Sequence, residues 1–204
     1  MDFLNEIKRL KSIADIGLLY SKDNYDRERY ETVRDISQSL LAHLINQPLS
    51  ILTDFYINPL DYPTPKVDIR ALVLNEKMEI LMVQEKTDGF WALPGGWADI
   101  GSSPKEVAIK EVAEETGLAV DVKTLLAVFD KRCHSHPPEA NYVYKLVFGC
   151  QYTEGGLAKG FDILDVNFFP IHQLPPLSKQ RILDTQIQLV FQKWVNKEAE
   201  TYFD

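Results

Sequence analysis

Apolar side chains recur at Phe3, Ile7, Leu10, Ala14 and Leu18, and the spacing repeats at Tyr30, Val33, Ile36, Leu40 and Leu44. Steps of three and four residues bring such groups to one face of a helix, so two helices forming a hairpin are predicted over 3–20 and 25–46. A shorter apolar stretch at 49–57 follows Pro48 and is consistent with a third helix. Residues 58–65 then contain Pro59, Pro63 and Pro65, which break regular structure. The chain is therefore expected to divide into a helical N-terminal domain at 1–58, a linker at 59–65 and a second domain at 66–204. A hairpin of this size cannot bury both of its faces, so it is expected to dock either on the second domain or on another chain.

Beyond the linker the period changes to two. Val67, Ile69, Ala71 and Val73 alternate with Asp68 and Arg70, and 80–83 is an unbroken apolar run suited to a strand covered on both faces. Residues 75–77 form the turn between them. Further strands are predicted at 125–129, 142–148 and 165–169, and Leu183, Ile187, Val190, Phe191 and Trp194 mark an amphipathic C-terminal helix. The expected fold class is α/β, a mixed sheet with helices on both faces, preceded by the small helical domain.

The formal charge of −8 over 204 residues argues against a general nucleic-acid or anionic-membrane surface and leaves room only for a local basic pocket. A polyanionic substrate would then need a metal or local cations. There is no basic-then-apolar leader and no run long enough to span a bilayer, and Cys133 and Cys150 are the only cysteines. A cytoplasmic chain with reduced thiols is expected.

One stretch, 94–118, carries candidate chemistry. It reads as a glycine-rich loop followed by a helix with clear ends: Ser103 and Glu106 at capping-box spacing, Pro104 in the first helical position, and Gly117 as a left-handed terminator. On the helix of 104–116, Ala108, Ile109, Val112 and Ala113 form an arc that can pack on a sheet, and Glu111, Glu114 and Glu115 crowd the neighbouring edge. Such a run is commonly a solvated acidic face, and Glu106, Lys110 and Glu114 make a favourable row of opposite charges. That row leaves Glu111 and Glu115 unneutralised four residues apart. A hard cation reverses the sign of their repulsion, and carboxylates with an exposed carbonyl are oxygen ligands suited to Mg²⁺ or Mn²⁺. Gly95, Gly96 and Gly101 let backbone approach such an ion or a phosphate.

The same stretch resembles the signature of the Nudix hydrolases, with Gly96, Glu111, Val112, Glu114, Glu115, Gly117 and Leu118 in register and 91–96 also similar. It departs at Ser102, where the family has glutamate, and at Lys110, where it has arginine. The resemblance covers roughly 67–175. It implies an α/β/α sandwich and a metal-dependent hydrolase cleaving the pyrophosphate linkage of a nucleoside diphosphate derivative. It further implies metal held by Glu111, Glu115 and the Gly95 carbonyl with help from Glu114, and a proton taken from water by Glu115 or Asp162. Asp162 lies in the 155–165 loop from which such enzymes often bring a further carboxylate, and it is preferred over Asp165. The two-domain layout and the segments 83–86 and 129–132 are most similar to bacterial enzymes acting on ADP-ribose or CDP-choline. Related enzymes with a short helical N-terminal segment are typically homodimers, so a homodimer is expected.

Other candidates are less determined. Arg70 can hold a phosphate or form an internal salt bridge. Cys133, His134 and His136 lack the fourth ligand of a structural zinc site, and the two histidines, with Gly96, are candidate contacts for substrate phosphate in a surface loop. A catalytically silent nucleotide sensor on the same fold is the alternative that Ser102 and Lys110 keep open.

Overall fold

The computed structural model describes residues 3–50, 62–99 and 101–204. They fall into two compact units, Met1–Pro65 with Pro138–Tyr142, and Lys66–Pro137 with Val143–Asp204. Most of the 49–57 segment and the first half of the expected linker lie outside the described residues.

In the first unit α1 (Phe3–Tyr20) and α2 (Asn24–Ile45) form the predicted hairpin. Asp23 caps α2 by accepting from the Tyr25 N–H, and Asn46 ends it in the left-handed conformation. Ile7, Ala14, Leu18, Leu41 and Ala42 are buried. The segment Pro138–Tyr142, which the sequence assigned to the second domain, belongs with this unit. The Lys8 ammonium donates to the Asn141 carbonyl at 2.7 Å, and the Tyr142 hydroxyl donates to that of Asn5 at 3.0 Å. Most of the apolar arc that the sequence marks on α2 is exposed within this chain. Val33, Ile36, Leu40 and Leu44 face outward, while Ser37, Gln38, Leu41 and Ala42 are inside.

The second unit is a seven-stranded mixed sheet. Its strands are β1 (Lys66–Leu74), β2 (Ile80–Glu85), β3 (Trp91–Ala92), β4 (Leu118–Asp130), β5 (Val143–Gly155), β6 (Ile163–Phe169) and β7 (Tyr202–Phe203). The spatial order is β3-β2-β1-β5-β4-β7, with β6 also paired to β2. β1 runs parallel to β5, and β4 to β7; the other pairs are antiparallel. On one face α3 (Pro104–Thr116) packs Val107, Ala108 and Val112 against Ile69, Ala71, Val73 and Leu81. On the other, α4 (Asp184–Val195) packs Ile187 and Val190 against Leu72, Ile80 and Met82. This is the expected α/β/α sandwich.

β1 shows why strand alternation can mislead. Its odd residues, the apolar set of the predicted alternation, face α3, but Asp68 and Arg70 are also buried, at 2% and 5% exposure. The polar side of the strand is a buried ion cluster rather than a wetted surface.

Candidate active site

The α3 cap is the one its sequence specified. The Ser103 hydroxyl accepts from the Glu106 N–H, the Glu106 carboxylate accepts from the Ser103 N–H, and Gly117 closes the helix at φ 73°. This fixes the helix start and hence the azimuth of its acids. Val107, Ala108 and Val112 turn to the core, Ala113 stays exposed, and Glu115 is drawn in to 6% exposure. Glu111 is half-buried and Glu114 exposed.

The glycine loop fits around these acids. The N–H groups of Ala71 and Ile69 donate to the carbonyls of Pro94 and Gly96, holding the loop along β1. Between them the Gly95 N–H donates to Glu115 Oε2 at 2.9 Å. Gly95 has φ 144°, and a Cβ there would stand 2.0 Å from the Ile69 carbonyl oxygen, so only glycine fits. A Cβ on Gly96 would stand 2.8 Å from Glu111 Oε1. The missing side chain leaves that carboxylate its space.

Burial pushes the Glu115 carboxyl up to about 8, with Glu85 and Glu111 adding to the rise, against the pull of Arg70 and of the Gly95 N–H. Ionising it at neutral pH in this surrounding costs about 5 kcal/mol relative to water. Glu111 is raised as well, first by burial and then by Glu114 and Asp99 against the pull of Lys110 and Arg70. Glu85, at the end of β2, is raised by burial, with Arg181 and Arg70 opposing. Three neighbouring carboxylates thus lack sufficient positive charge.

Arg70 takes the internal alternative. Its guanidinium donates to Asp68 at 2.9–3.0 Å and to the Leu93 carbonyl at 3.0 Å, and it lies 4.0 Å from Glu85. Lys145 completes the cluster from β5 through an ion pair with Asp68. Arg181 reaches in from the turn before α4, bonding Glu85 at 2.8 Å, Asp88 at 3.2 Å and the Thr87 hydroxyl at 2.8 Å. Asp68, Glu85, Lys145 and Arg181 were not recognised as site residues from sequence. A charged residue closing an apolar strand run, as Glu85 closes β2, was the available signal for one of them.

The other candidates are spread around this centre. The Asp162 carbonyl accepts from the Lys86 N–H at 3.1 Å, its side chain is exposed, and its charge contributes to the rise at Glu85. Asp165 instead accepts from the Val166 N–H. His134 Nε2 lies 2.8 Å from Asp204, with its ring edge-on to Phe129. His136 Nδ1 lies 2.7 Å from the Lys179 carbonyl, and burial lowers its pKa to about 4 with help from Lys145 and Lys131. Both rings are half-buried rather than on an open loop, and each is engaged within the chain. Lys110, expected in a row of opposite charges with Glu106 and Glu114, pairs with Asp99 at 2.9 Å.

Among the described residues no three acid, histidine or cysteine side chains already converge as a metal cage. The donor set nevertheless fits a hard divalent cation. Glu111 and Glu115 are one helical turn apart, both are short of positive charge, and glycine backbone borders each.

Comparison with known proteins agrees with this architecture. Residues 64–189 match the NUDIX domain, and residues 1–56 match a UDP-X-like, N-terminal oligomerisation domain. The chain is 40% identical over 202 residues to YjhB of Bacillus subtilis (strain 168), provisionally named an ADP-ribose pyrophosphatase, spanning 99% of this chain and 97% of the relative. A crystal structure of a UDP-X diphosphatase superposes with a TM-score of 0.64 at 34% identity, over 100% of this chain and 98% of the other. An ADP-ribose pyrophosphatase from Streptococcus suis superposes with a TM-score of 0.62 at 36% identity, covering 69% of this chain and 100% of that one.

Proposed function

The chain belongs to the Nudix family of hydrolases, and on that premise we propose that it cleaves the pyrophosphate linkage of a nucleoside diphosphate derivative with the aid of Mg²⁺ or Mn²⁺. The products are a nucleoside monophosphate and a phosphorylated remainder. The observation that carries this reading is the pair Glu111 and Glu115, both raised in pKa and both bordered by the Gly95–Gly96 backbone.

Glu111, Glu115 and the Gly95 carbonyl, with Glu114 at the rim, would hold the ion, which supplies charge neutralisation and acidifies water. The Gly95 N–H orients the Glu115 carboxylate. Arg70, pinned by Asp68 and Leu93, supports Glu115 and Glu85 from behind rather than gripping phosphate. Glu115 is committed to Gly95, whereas Asp162 stands exposed on its loop beside Glu85, so Asp162 accepts the proton from the attacking water.

ADP-ribose is the first substrate to test and UDP-linked compounds the second, after the activities named for the similar proteins; CDP-choline is the third. The N-terminal unit joins two copies of the chain: its outward row of Val33, Ile36, Leu40 and Leu44 is apolar, and its family model is described as an oligomerisation domain. Among the described residues no helix is long and apolar enough to cross a membrane.

The deciding experiment is an assay of ADP-ribose, UDP-glucose, CDP-choline and nucleoside triphosphates with Mg²⁺ and with Mn²⁺. Release of a nucleoside monophosphate that stops with chelator supports the proposal. No turnover of any of them with either metal would favour the alternative, a silent nucleotide sensor on the same fold.

A further inference from the structure

Phe161 is 94% exposed, more than any other large apolar side chain among the described residues, and it stands in the loop that carries Asp162. Isolated exposed aromatics are ordinary on protein surfaces, so exposure alone decides nothing. The backbone around this one is held on two sides by the active site. The Gly160 N–H donates to the Glu115 carbonyl at 3.1 Å, and the Ala158 N–H to that of Thr116 at 2.9 Å, tying the loop to the last turn of α3. On the other side the Lys86 N–H donates to the Asp162 carbonyl at 3.1 Å, and Glu85 is in register with Ile163.

The ring is therefore flanked in sequence by one residue bonded to the Glu115 backbone and another bonded to the residue after Glu85. The Lys86 ammonium sits 4.9 Å from the ring centroid and also donates to the Phe161 carbonyl at 2.5 Å. This covers one face of the ring with a cation; an exposure of 94% leaves the other face open. A planar apolar surface paired with an ammonium, fixed beside a carboxylate centre, suits a ligand with a flat π-system joined to anionic groups. A nucleoside diphosphate has that combination.

We propose that Phe161 is the platform on which the substrate's nucleobase stacks, with Lys86 steering the adjoining phosphates. The proposal rests on the pyrophosphatase reading above and deepens it by naming the residue that receives the base. Stacking tolerates any base because each has a π-face, so Phe161 sets affinity for nucleotides as a class rather than choosing among adenine, uracil and cytosine.

Stacking made equally with substrate and transition state alters KM and leaves kcat unchanged. Phe161→Ala should raise KM for the best nucleotide substrate about tenfold, within the usual worth of a base–aromatic stack, with kcat within about twofold of the parent. Phe161→Trp should restore KM. An independent reading uses Phe161→Trp with chelator present, its emission being corrected for the parent's tryptophans. AMP, UMP and CMP should each quench the added indole, and ribose 5-phosphate, which lacks a base, should not. An unchanged KM in Phe161→Ala, or an indole indifferent to all three nucleotides while the parent still turns over substrate, overturns the proposal and leaves the pyrophosphatase reading intact. An indole that is quenched by nucleotides, in a parent that hydrolyses none of the panel, supports the platform and removes the pyrophosphatase reading. Emission that instead changes with protein concentration, and not with nucleotide, assigns the ring to a contact between copies and overturns the proposal.

Discussion

Helices α2 and α3 both show an apolar arc in sequence, and they use it in opposite ways. α3 buries most of its arc, Val107, Ala108 and Val112 lying against the sheet, and its anomaly is a carboxylate, Glu115, drawn in beside them. α2 turns its predicted arc outward, with Ile36 55% and Leu40 45% exposed, and keeps Ser37 and Gln38 inside. Periodicity establishes that a helix has an apolar face; it carries no information about which surface covers that face. Each anomaly points to what is missing. The buried acid of α3 suits a cation, and the exposed row of α2 suits a second apolar surface, as proposed above.

The largest effect should come from removing the acids. Glu111→Gln and Glu115→Gln are each expected to lower turnover by about 10²- to 10⁴-fold, the range for loss of a group acting directly on the reacting water or its activator. The far-ultraviolet spectrum should not change, because the amide retains the volume of a carboxyl that burial already holds near neutrality at position 115. Mn²⁺ should raise the melting temperature of the parent and have much less effect on either variant. Near-parental rates in either variant at saturating metal would place the cation elsewhere and erase the contrast between the two helices.

The matching test for α2 is Ile36→Asp with Leu40→Asp. Both side chains lie in the outward row, so the catalytic unit should remain folded while the sedimenting mass falls from dimer to monomer. A parent that already sediments as a monomer, or a doubly substituted chain that remains a dimer, would show that another surface joins the copies.

Legibility of the sequence followed the range of the interaction responsible. The ends of α3 are determined by residues within three or four positions of each other, and Ser103, Glu106, Pro104 and Gly117 perform the parts their types suggest. β1 and β2 were visible as runs, and the family resemblance supplied the sandwich. The strand β7, two residues long and paired with β4 across more than 70 positions, leaves no local pattern. The ion cluster was hidden for the same reason: Asp68, Lys145, Glu85 and Arg181 come from separate elements, and only parallel pairing of β1 with β5 sets Asp68 opposite Lys145. The direction faced by α2 was not legible because it depends on what covers the helix.

A smaller effect should separate the two units by acid. His136 is held near a pKa of about 4, against 6.5 unfolded, chiefly by burial. A depressed histidine pKa means that the unfolded chain binds more protons between these values, so this contribution to stability is present above 6.5 and lost as pH falls towards 4. Its size is about 2 kcal/mol after allowing for partial exposure. The raised glutamates pull in the opposite direction, gaining stability as pH falls, so the diagnostic quantity is the difference between parent and His136→Gln. That difference should shrink between pH 7 and pH 4.5 in thermal melts. Parallel profiles would mean that His136 is already protonated in the fold. Ile36→Asp with Leu40→Asp should leave this difference untouched, because the histidine belongs to the other unit.

The smallest effect concerns how α3 is braced. The signature has a glutamate at position 102 and an arginine at position 110, where a charged pair would brace the helix, and here serine and lysine stand in their places. The structure shows a substitute brace, since Lys110 reaches Asp99 at 2.9 Å and the Ser102 N–H donates to the Asp99 carbonyl at 3.2 Å. The carboxylate has in effect moved three residues towards the glycine loop and still ties that loop to the helix presenting Glu111 and Glu115. Both partners are exposed, so water and salt weaken the pair and its effect on the metal site must be modest. Asp99→Asn should raise the Mg²⁺ concentration for half-maximal activity by about two- to threefold at low salt and by less at high salt. Ser102→Glu should change little in the parent, where Lys110 is already engaged, and should recover the loss in the Asp99→Asn chain by offering Lys110 a new carboxylate. Equal gains from Ser102→Glu in both backgrounds would show that position 102 touches the metal site directly and that Asp99 braces nothing.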